Sequence, residues 1–385
     1  MGESVTGERH QAVVIGAGPA GLAAAAMLRR VGIETIVLER SSVGSSWRNH
    51  YDRLHLHTVR WLSNLPGLPI DRREGRWVPR AGVVPYLERY ARSHRLDIRA
   101  NVEVQGVARE NGRWQLRTTD GDVTADVVVV ATGFNKDPVL PDWPGRETFT
   151  GEMVHSADYR NPVPYRDKDV LIVGTGNSGA EIAVDLVEGG AAKVMISVRT
   201  PPNILRRDLG GLPSQVVGVL IRRLPVPLVD RISKVVQRLT VGDLTPYGMP
   251  GPALGMYTRA KQGSIPILDV GLIRLLKERR VQVVPAVEGF DGPDVLLADG
   301  TRSRPDAVIA ATGFRRGLES LVGQLGLVGP DDLPLVHGAD TRRGAPDLYF
   351  IGFTNPISGN LRELGIDARR IARAASRGRS ASRAA

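Results

Sequence analysis

Residues 12–40, AVVIGAGPAGLAAAAMLRRVGIETIVLER, constrain this chain more than any other stretch. They open with an apolar run, 12–15, that reads as a buried parallel strand. Gly16-Ala17-Gly18-Pro19-Ala20-Gly21 follows with GxGxxG spacing, then an alanine-rich helix to about residue 31. A second strand, 35–38, ends at Glu39. Each part answers a need of a bound dinucleotide. Gly16 permits the tight turn, Gly18 lets the backbone approach a pyrophosphate, and Gly21 lets helix and strand pack closely. The helix N-terminus offers free N–H groups and a positive dipole end to phosphate. Glu39 is placed to accept hydrogen bonds from ribose hydroxyls. An isolated GxGxxG is a weak signal, but strand, helix, strand and acid in this order mark a dinucleotide-binding unit.

The plan then repeats. An apolar strand, 170–173, runs into Gly174-Thr175-Gly176-Asn177-Ser178-Gly179, a helix over 180–188 and a strand over 193–198. The first unit closes on an apolar strand, 127–130, and Ala131-Thr132-Gly133-Phe134. The second closes on 307–310 and Ala311-Thr312-Gly313-Phe314. The second unit carries its extra length in residues 205–263, a partly helical insert containing Pro and Arg. A short strand, 348–352, and a helix, 361–375, end the folded chain. This predicts an α/β fold with two Rossmann-like domains, the second inserted in the first, and two dinucleotides.

The two fingerprints differ at the end of their second strands. The first has Glu39; the second has Arg199, followed by Thr200. An acid favours a free ribose 2′-hydroxyl, whereas Arg pairs with a 2′-phosphate through charge-assisted hydrogen bonds. The first site therefore suits FAD (or NAD) and the second NADPH, with Arg206 and Arg207 as further phosphate candidates. The expected FAD domain is 11–160 with 304–376, and the expected NADPH domain is 165–303. FAD with NADPH means hydride transfer from nicotinamide to flavin. The chain has no cysteine, which excludes a disulfide relay. Oxygen, a quinone or dye, and a protein redox partner remain as acceptors.

Composition narrows the class further. A length of 385 residues, 42% hydrophobic and 24% charged, fits a globular protein with ample core. The best apolar run, 216–229, is broken by Arg222, Arg223, Pro225 and Pro227, so no membrane span is expected. No signal-peptide pattern is visible, and a cytoplasmic location is the expectation. The net charge of +10 is carried mostly by dispersed Arg. Its densest part, 369–383, is mixed with Ala and Ser, and 377–385 reads as a flexible basic tail instead of a nucleic-acid site. No metal site is expected. The oligomeric state stays open.

Residues 149–159, FTGEMVHSADY, form the pattern FxGxxxHxxxY just before the second fingerprint. This pattern resembles the signature of class B flavin-containing monooxygenases. Baeyer–Villiger monooxygenases carry a related motif ending in Trp, where this chain has Tyr159. Glu39-Arg40, Ser46-Trp47, Tyr51-Asp52-Arg53-Leu54, Leu65-Pro66-Gly67-Leu68-Pro69 and Ile267-Leu268-Asp269-Val270-Gly271 resemble the YUCCA-like group. Plant members of that group convert indole-3-pyruvate to indole-3-acetate. The resemblance spans about residues 13–374. Scarce Lys beside abundant Arg and Ala suggests a GC-rich bacterial source.

The resemblance implies an NADPH- and O2-dependent flavin monooxygenase. NADPH reduces FAD, NADP+ stays bound, and reduced flavin with O2 forms a C4a-(hydro)peroxide that the site shields from water. That species oxygenates a soft nitrogen or sulfur, or attacks a carbonyl and drives decarboxylation of an aryl 2-oxo acid. The rival is an NADPH oxidase or flavin reductase that releases hydrogen peroxide. The expected cofactor contacts are both glycine-rich loops, Arg40, Trp47, Thr132, Gly133, Tyr159 and Ala311-Thr312-Gly313. His57 falls where many flavin monooxygenases have an Asn near the flavin. Arg60 is expected to meet a substrate carboxylate. His155 and Tyr159 are expected to act more as structural linchpins and NADP contacts than as proton donors. Residues 355–359 are expected to bring a helix N-terminus to the flavin.

Overall fold

The computed structural model describes residues 8–221, 224–263 and 265–384. The first fingerprint is a strand, β1 (Glu8–Ile15), a helix, α1 (Pro19–Arg30), and a strand, β2 (Thr35–Glu39). β1 starts earlier than the apolar run because residues 8–10 pair with 123–125. Residues 1–7 lie outside the described residues. Strands β3 (Asp97–Ala100), β4 (Val104–Glu110), β5 (Arg113–Thr118) and β6 (Val123–Val130) complete a sheet of order β3-β2-β1-β6-β5-β4.

The second sheet is all parallel. It contains β7 (Glu152–His155), β8 (Asp169–Val173), β9 (Lys193–Ser197), β12 (Val281–Val284) and β13 (Ala307–Ala310), in the order β12-β9-β8-β13-β7. Its fingerprint helix is α2 (Asn177–Glu188). The insert contributes β10 (Ile204–Arg206), α3 (Ser214–Ile221), α4 (Val226–Thr240), α5 (Met256–Lys261) and β11 (Ile267–Asp269), with β10 paired to β11. The chain then returns through β14 (Leu348–Phe350), which pairs with the C-terminal half of β6. The N-terminal half of β6 pairs with β5, so one strand edge serves two partners.

Sheet membership departs from the expected boundaries at 160–165 and 303–304. β7 and β13 both belong to the second sheet, so residues 152–155 and 307–310 sit with the second unit. The reason lies in the repeat itself. Each unit ends on the strand beside its own fingerprint, and β13 does for β8 what β6 does for β1. The last helix, α6 (Asn360–Ala384), also differs from expectation. It continues through most of the expected tail, since Ala and Arg are strong helix formers. Residue 385 lies outside the described residues.

Each sheet is buried on both faces, as parallel strands require. Val14, Val37, Val127 and Val129 face α1 and α6. Val13, Ile36, Val128 and Val130 face residues 318–327. The alanines of α1 let it lie close between sheet and C-terminal helix; Ala23, Ala24 and Ala25 are fully buried.

The glycines of each fingerprint meet different constraints. Gly16 and Gly174 have φ of +106° and +113°. A Cβ on Gly16 would lie 2.7 Å from the Ala131 carbonyl oxygen, and one on Gly174 would lie 2.5 Å from that of Ala311. A Cβ on Gly21 would overlap the Gly16 carbonyl oxygen, and one on Gly179 that of Gly174. The first and third glycines are thus demanded by the fold. Gly21→Ala is expected to cost about 1–3 kcal/mol by overpacking. Thermal unfolding should show a lowered Tm, while Gly251→Ala, at an exposed site with nothing within 4 Å of the new carbon, should leave it unchanged.

Candidate active site

The second glycine of each fingerprint is the one that the fold does not need. Gly18 and Gly176 have extended backbones, and a Cβ there would meet nothing within 4 Å. Each is the N-cap of its helix, and neither helix has a side-chain cap. Pro19 has no N–H to leave unpaired, so the N–H groups of Ala20 and Gly21 at the start of α1, and the first N–H groups of α2, point to open space with the positive end of a helix dipole behind them. That arrangement fits a pyrophosphate at each loop.

A cavity of about 650 Å³ opens from the first fingerprint and passes between the domains to the insert. Gly16, Gly18, Pro19, Ala20, Glu39, Arg40, Trp47, His57, Thr132 and Gly133 line it on the first-domain side. Asn177 lines it from the second fingerprint, and residues 355–357 and 359–360 bring the start of α6 to it. Glu39 is buried. It accepts hydrogen bonds from the Ala17 N–H at 2.7 Å, the Ser41 N–H at 3.0 Å and the Ser45 hydroxyl at 3.4 Å. These donors hold its carboxylate beside the glycine-rich loop. The two closing turns differ. The Thr132 hydroxyl is buried with no hydrogen-bond partner among the described residues, whereas the Thr312 hydroxyl donates to the Val139 carbonyl. Open glycine, uncapped helix, oriented acid and an unpartnered hydroxyl together fit a dinucleotide such as FAD.

In the second domain Arg199 and Thr200 are exposed at the end of β9. The Thr175 hydroxyl donates to the Thr200 carbonyl at 3.4 Å and joins that end to the fingerprint loop. Arg206 and Arg207 are engaged elsewhere. Arg206 donates to the Thr240 carbonyl, and Arg207 lies over the Trp77 ring at 4.5 Å. Of the second glycine-rich loop, residues 174–179, Asn177 alone lines the cavity; Gly174, Thr175, Gly176, Ser178 and Gly179, and likewise Ala311, Thr312 and Gly313, do not.

Tyr159 is 1% exposed, and its hydroxyl donates to Asp185 on α2 at 2.7 Å. It anchors the motif to the fingerprint helix and presents no hydroxyl to a cofactor. His155 accepts from the Ala157 N–H through Nδ1, and its Nε2 lies 3.1 Å from the Gly313 carbonyl. These contacts tie the motif to the closing turn of the second unit. Arg60 also departs from expectation. Its guanidinium donates to the carbonyls of Gly75 and Ile70, outside the cavity that His57 lines, because those loop carbonyls lie within its reach.

The structure adds residues that no motif marked. Glu181, on α2, is 3% exposed. It receives the Tyr51 hydroxyl at 2.6 Å, and its other oxygen lies 3.3 Å from His57 Nε2. Burial pushes Glu181 up to about 7, against the pull of the Tyr51 hydroxyl and Arg207. Burial, aided by Arg207, holds His57 down to about 4. On the acid side of neutrality the pair thus keeps one proton, on the carboxyl, and the imidazole is neutral. His57 Nδ1 is buried and, among the described residues, has no hydrogen-bond partner. Gln215, on α3, accepts from the Val59 N–H at 2.9 Å and donates to the Ser358 carbonyl at 2.8 Å. It ties the insert to the loops on both sides of the cavity. Glu181 and Gln215 gave no local signal because their importance comes from contacts far along the chain.

Comparison with known proteins agrees with this geometry. The sequence model of the pyridine nucleotide-disulphide oxidoreductase family matches residues 13–208. Indole-3-pyruvate monooxygenase YUCCA1 of Oryza sativa subsp. japonica is 36% identical, over 89% of this chain and 86% of its own length. Probable indole-3-pyruvate monooxygenase YUCCA3 of Arabidopsis thaliana is 33% identical, over 89% and 82%. The chain belongs to the YUCCA-like flavin monooxygenases. It is an NADPH- and O2-dependent enzyme with FAD. The flavin-containing monooxygenase of Stenotrophomonas maltophilia superposes with a TM-score of 0.74 at 27% identity, over 96% of this chain and 99% of that one. A steroid monooxygenase bound to NADP shares the fold, at a TM-score of 0.75 and 20% identity. Among the described residues of the enzyme no helix is long and apolar enough to cross a membrane, and no acidic, His or Cys cluster is fit to hold a metal.

Two outcomes follow from the site. Gly18→Ala should keep the Tm of the parent apoprotein while the purified protein loses flavin absorbance, since the new methyl enters only the open space at the α1 N-terminus. The His57–Glu181 pair sets a pH dependence. Between pH 4.5 and 6.5 the unfolded pair holds one proton on His57 and the native pair holds one on Glu181, so the pair adds no slope. In Glu181→Gln the native imidazole stays unprotonated while the unfolded one binds a proton. The variant should therefore lose on the order of 2–3 kcal/mol relative to the parent as pH falls through that window. Urea melts across that range would show it, and parallel slopes for the two proteins would refute it.

Proposed function

We propose that the enzyme oxygenates an aromatic 2-oxo acid and releases the shortened acid and CO2. The observation that carries this reading is the cavity wall supplied by the insert. Val217, Ile221, Val229, Ile232 and Val236 give it an apolar surface suited to a flat aromatic group, continuous with the first fingerprint. The named relatives at 33–36% identity are indole-3-pyruvate monooxygenases. FAD would be held by the backbone of residues 16–21, by Glu39 at a ribose and by the Thr132 hydroxyl. NADPH would be held by residues 174–179, with Arg199 and Thr200 at the 2′-phosphate. When bound, the flavin passes two electrons from NADPH to O2.

The chain's own residues supply the surroundings. The insert and the start of α6 wall the cavity. Glu181 lies 3.3 Å from His57 Nε2, and burial with Arg207 holds the imidazole neutral at the cavity wall. In balance, 2-oxo acid, O2, NADPH and a proton give the shortened acid, CO2, NADP+ and water. The bond between the keto carbon and the carboxylate breaks, and one oxygen atom of O2 enters the new carboxylate. We place the enzyme in the cytoplasm and give nucleic acid no role, because the excess Arg is dispersed along the chain.

The test is coupling. FAD-loaded enzyme with NADPH, O2 and indole-3-pyruvate or phenylpyruvate is expected to yield one arylacetic acid per NADPH consumed, with little hydrogen peroxide. Hydrogen peroxide in step with NADPH for every 2-oxo acid would point instead to an oxidase. Arg199→Ala should raise the KM for NADPH about tenfold to a hundredfold, the worth of a charge-assisted pair, and leave that for NADH nearly unchanged.

A further inference from the structure

α4 carries apolar residues on two rows. Val229, Ser233 and Val236 turn inward and line the cavity. Leu228, Val235 and Leu239 form a second row at i, i+7 and i+11, about 100° round the helix from the first, and Ile232, which falls between them in the sequence, still reaches the cavity. This second row faces solvent: Leu239 is 80% exposed, Val235 56% and Leu228 45%. Leu220, in α3, is 72% exposed, and Leu224 is exposed as well. Single exposed leucines need no explanation, but a full-length stripe beside further exposed leucines does.

The charge around the stripe has one sign. Arg231, Lys234 and Arg238 flank it, all exposed and, among the described residues, without an ion-pair partner. Arg222 and Arg223 precede it in the sequence. The one acid between residues 214 and 240, Asp230, is turned to α5, where it accepts from the N–H groups of Tyr257 and Thr258 and the Thr258 hydroxyl. An apolar row bordered by unpaired Arg and Lys is the pattern of a helix that lies in the interface of an anionic bilayer. A second copy of the chain is a poorer partner, since an antiparallel pairing would set each basic flank against its counterpart.

We infer that the outer face of α4 docks on the surface of an anionic lipid bilayer. The helix would lie in the interfacial plane without crossing it. The same helix walls the cavity, so docking brings that wall to the lipid. The inference is independent of the substrate proposed above.

Flotation of the full-length, FAD-loaded enzyme with vesicles tests this. Vesicles of equal parts phosphatidylcholine and phosphatidylglycerol should retain the enzyme, less so as salt rises, and vesicles of phosphatidylcholine alone should retain little. The triple variant R231Q/K234Q/R238Q should bind the anionic vesicles about a hundredfold more weakly, roughly fivefold per basic side chain. L228S/V235S/L239S should abolish retention and keep flavin content and NADPH oxidation. Should either variant fail to fold, the dependence of the parent on lipid charge and salt decides alone. Absence of vesicle binding by the parent, or equal binding by the charge variant, would overturn the inference. So would a dimer in sedimentation that the serine variant dissociates, which would assign the stripe to contact between copies.

Discussion

The close approach of a carbonyl oxygen to a glycine underlies both halves of this molecule. Ala131 follows β6 and Ala311 follows β13, and each sets its carbonyl against the first glycine of a fingerprint. No side chain fits between them. That contact places the strand-to-helix turn beside the end of the neighbouring strand, which is where an open α/β sheet offers a crevice to a ligand. Once the turn is set there, the helix N-terminus points its free N–H groups at the crevice. The second glycine, under no such pressure, leaves that space open.

The two nucleotide units are joined by polar contacts as well as by the chain. Tyr51 and His57, from the first domain, reach Glu181 on the fingerprint helix of the second. Tyr159 reaches Asp185 one turn further along the same helix. Buried acids on α2 therefore receive hydroxyls from two separate segments. An unpaired buried carboxylate would be costly, so each acid fixes the segment that satisfies it. The insert is held in the same way, through the buried amide of Gln215. The position of the cavity wall thus depends on a few hydrogen bonds of long sequence separation.

The sequence-based reading was strongest where chemistry is local. Glycine spacing, the apolar strands, Glu39 against Arg199 and the FxGxxxHxxxY motif are each legible within a few residues, and they carried the α/β fold, the two cofactors and the family. It was weaker at boundaries, where the repeat itself assigned residues 307–313 to the second unit. Side-chain direction was beyond it. Arg60 and His57 are three residues apart, yet one reaches loop carbonyls and the other lines the cavity. Tyr159 lies in a signature motif but is sealed inside the domain.

The chain's own order of residues determined two dinucleotide units, because a turn that only glycine can make and a helix that begins there are written in adjacent positions. It also determined the 2′-position preference expected of each unit, since charge sign is a property of one residue. Only the tertiary structure decided which polar groups meet. His57 meets a buried acid because Glu181, far along the chain, packs against it. The two-faced character of α4 is likewise invisible to periodicity alone. A helix with apolar residues on adjacent rows reads as core from its sequence, and only packing shows that one row is left to solvent.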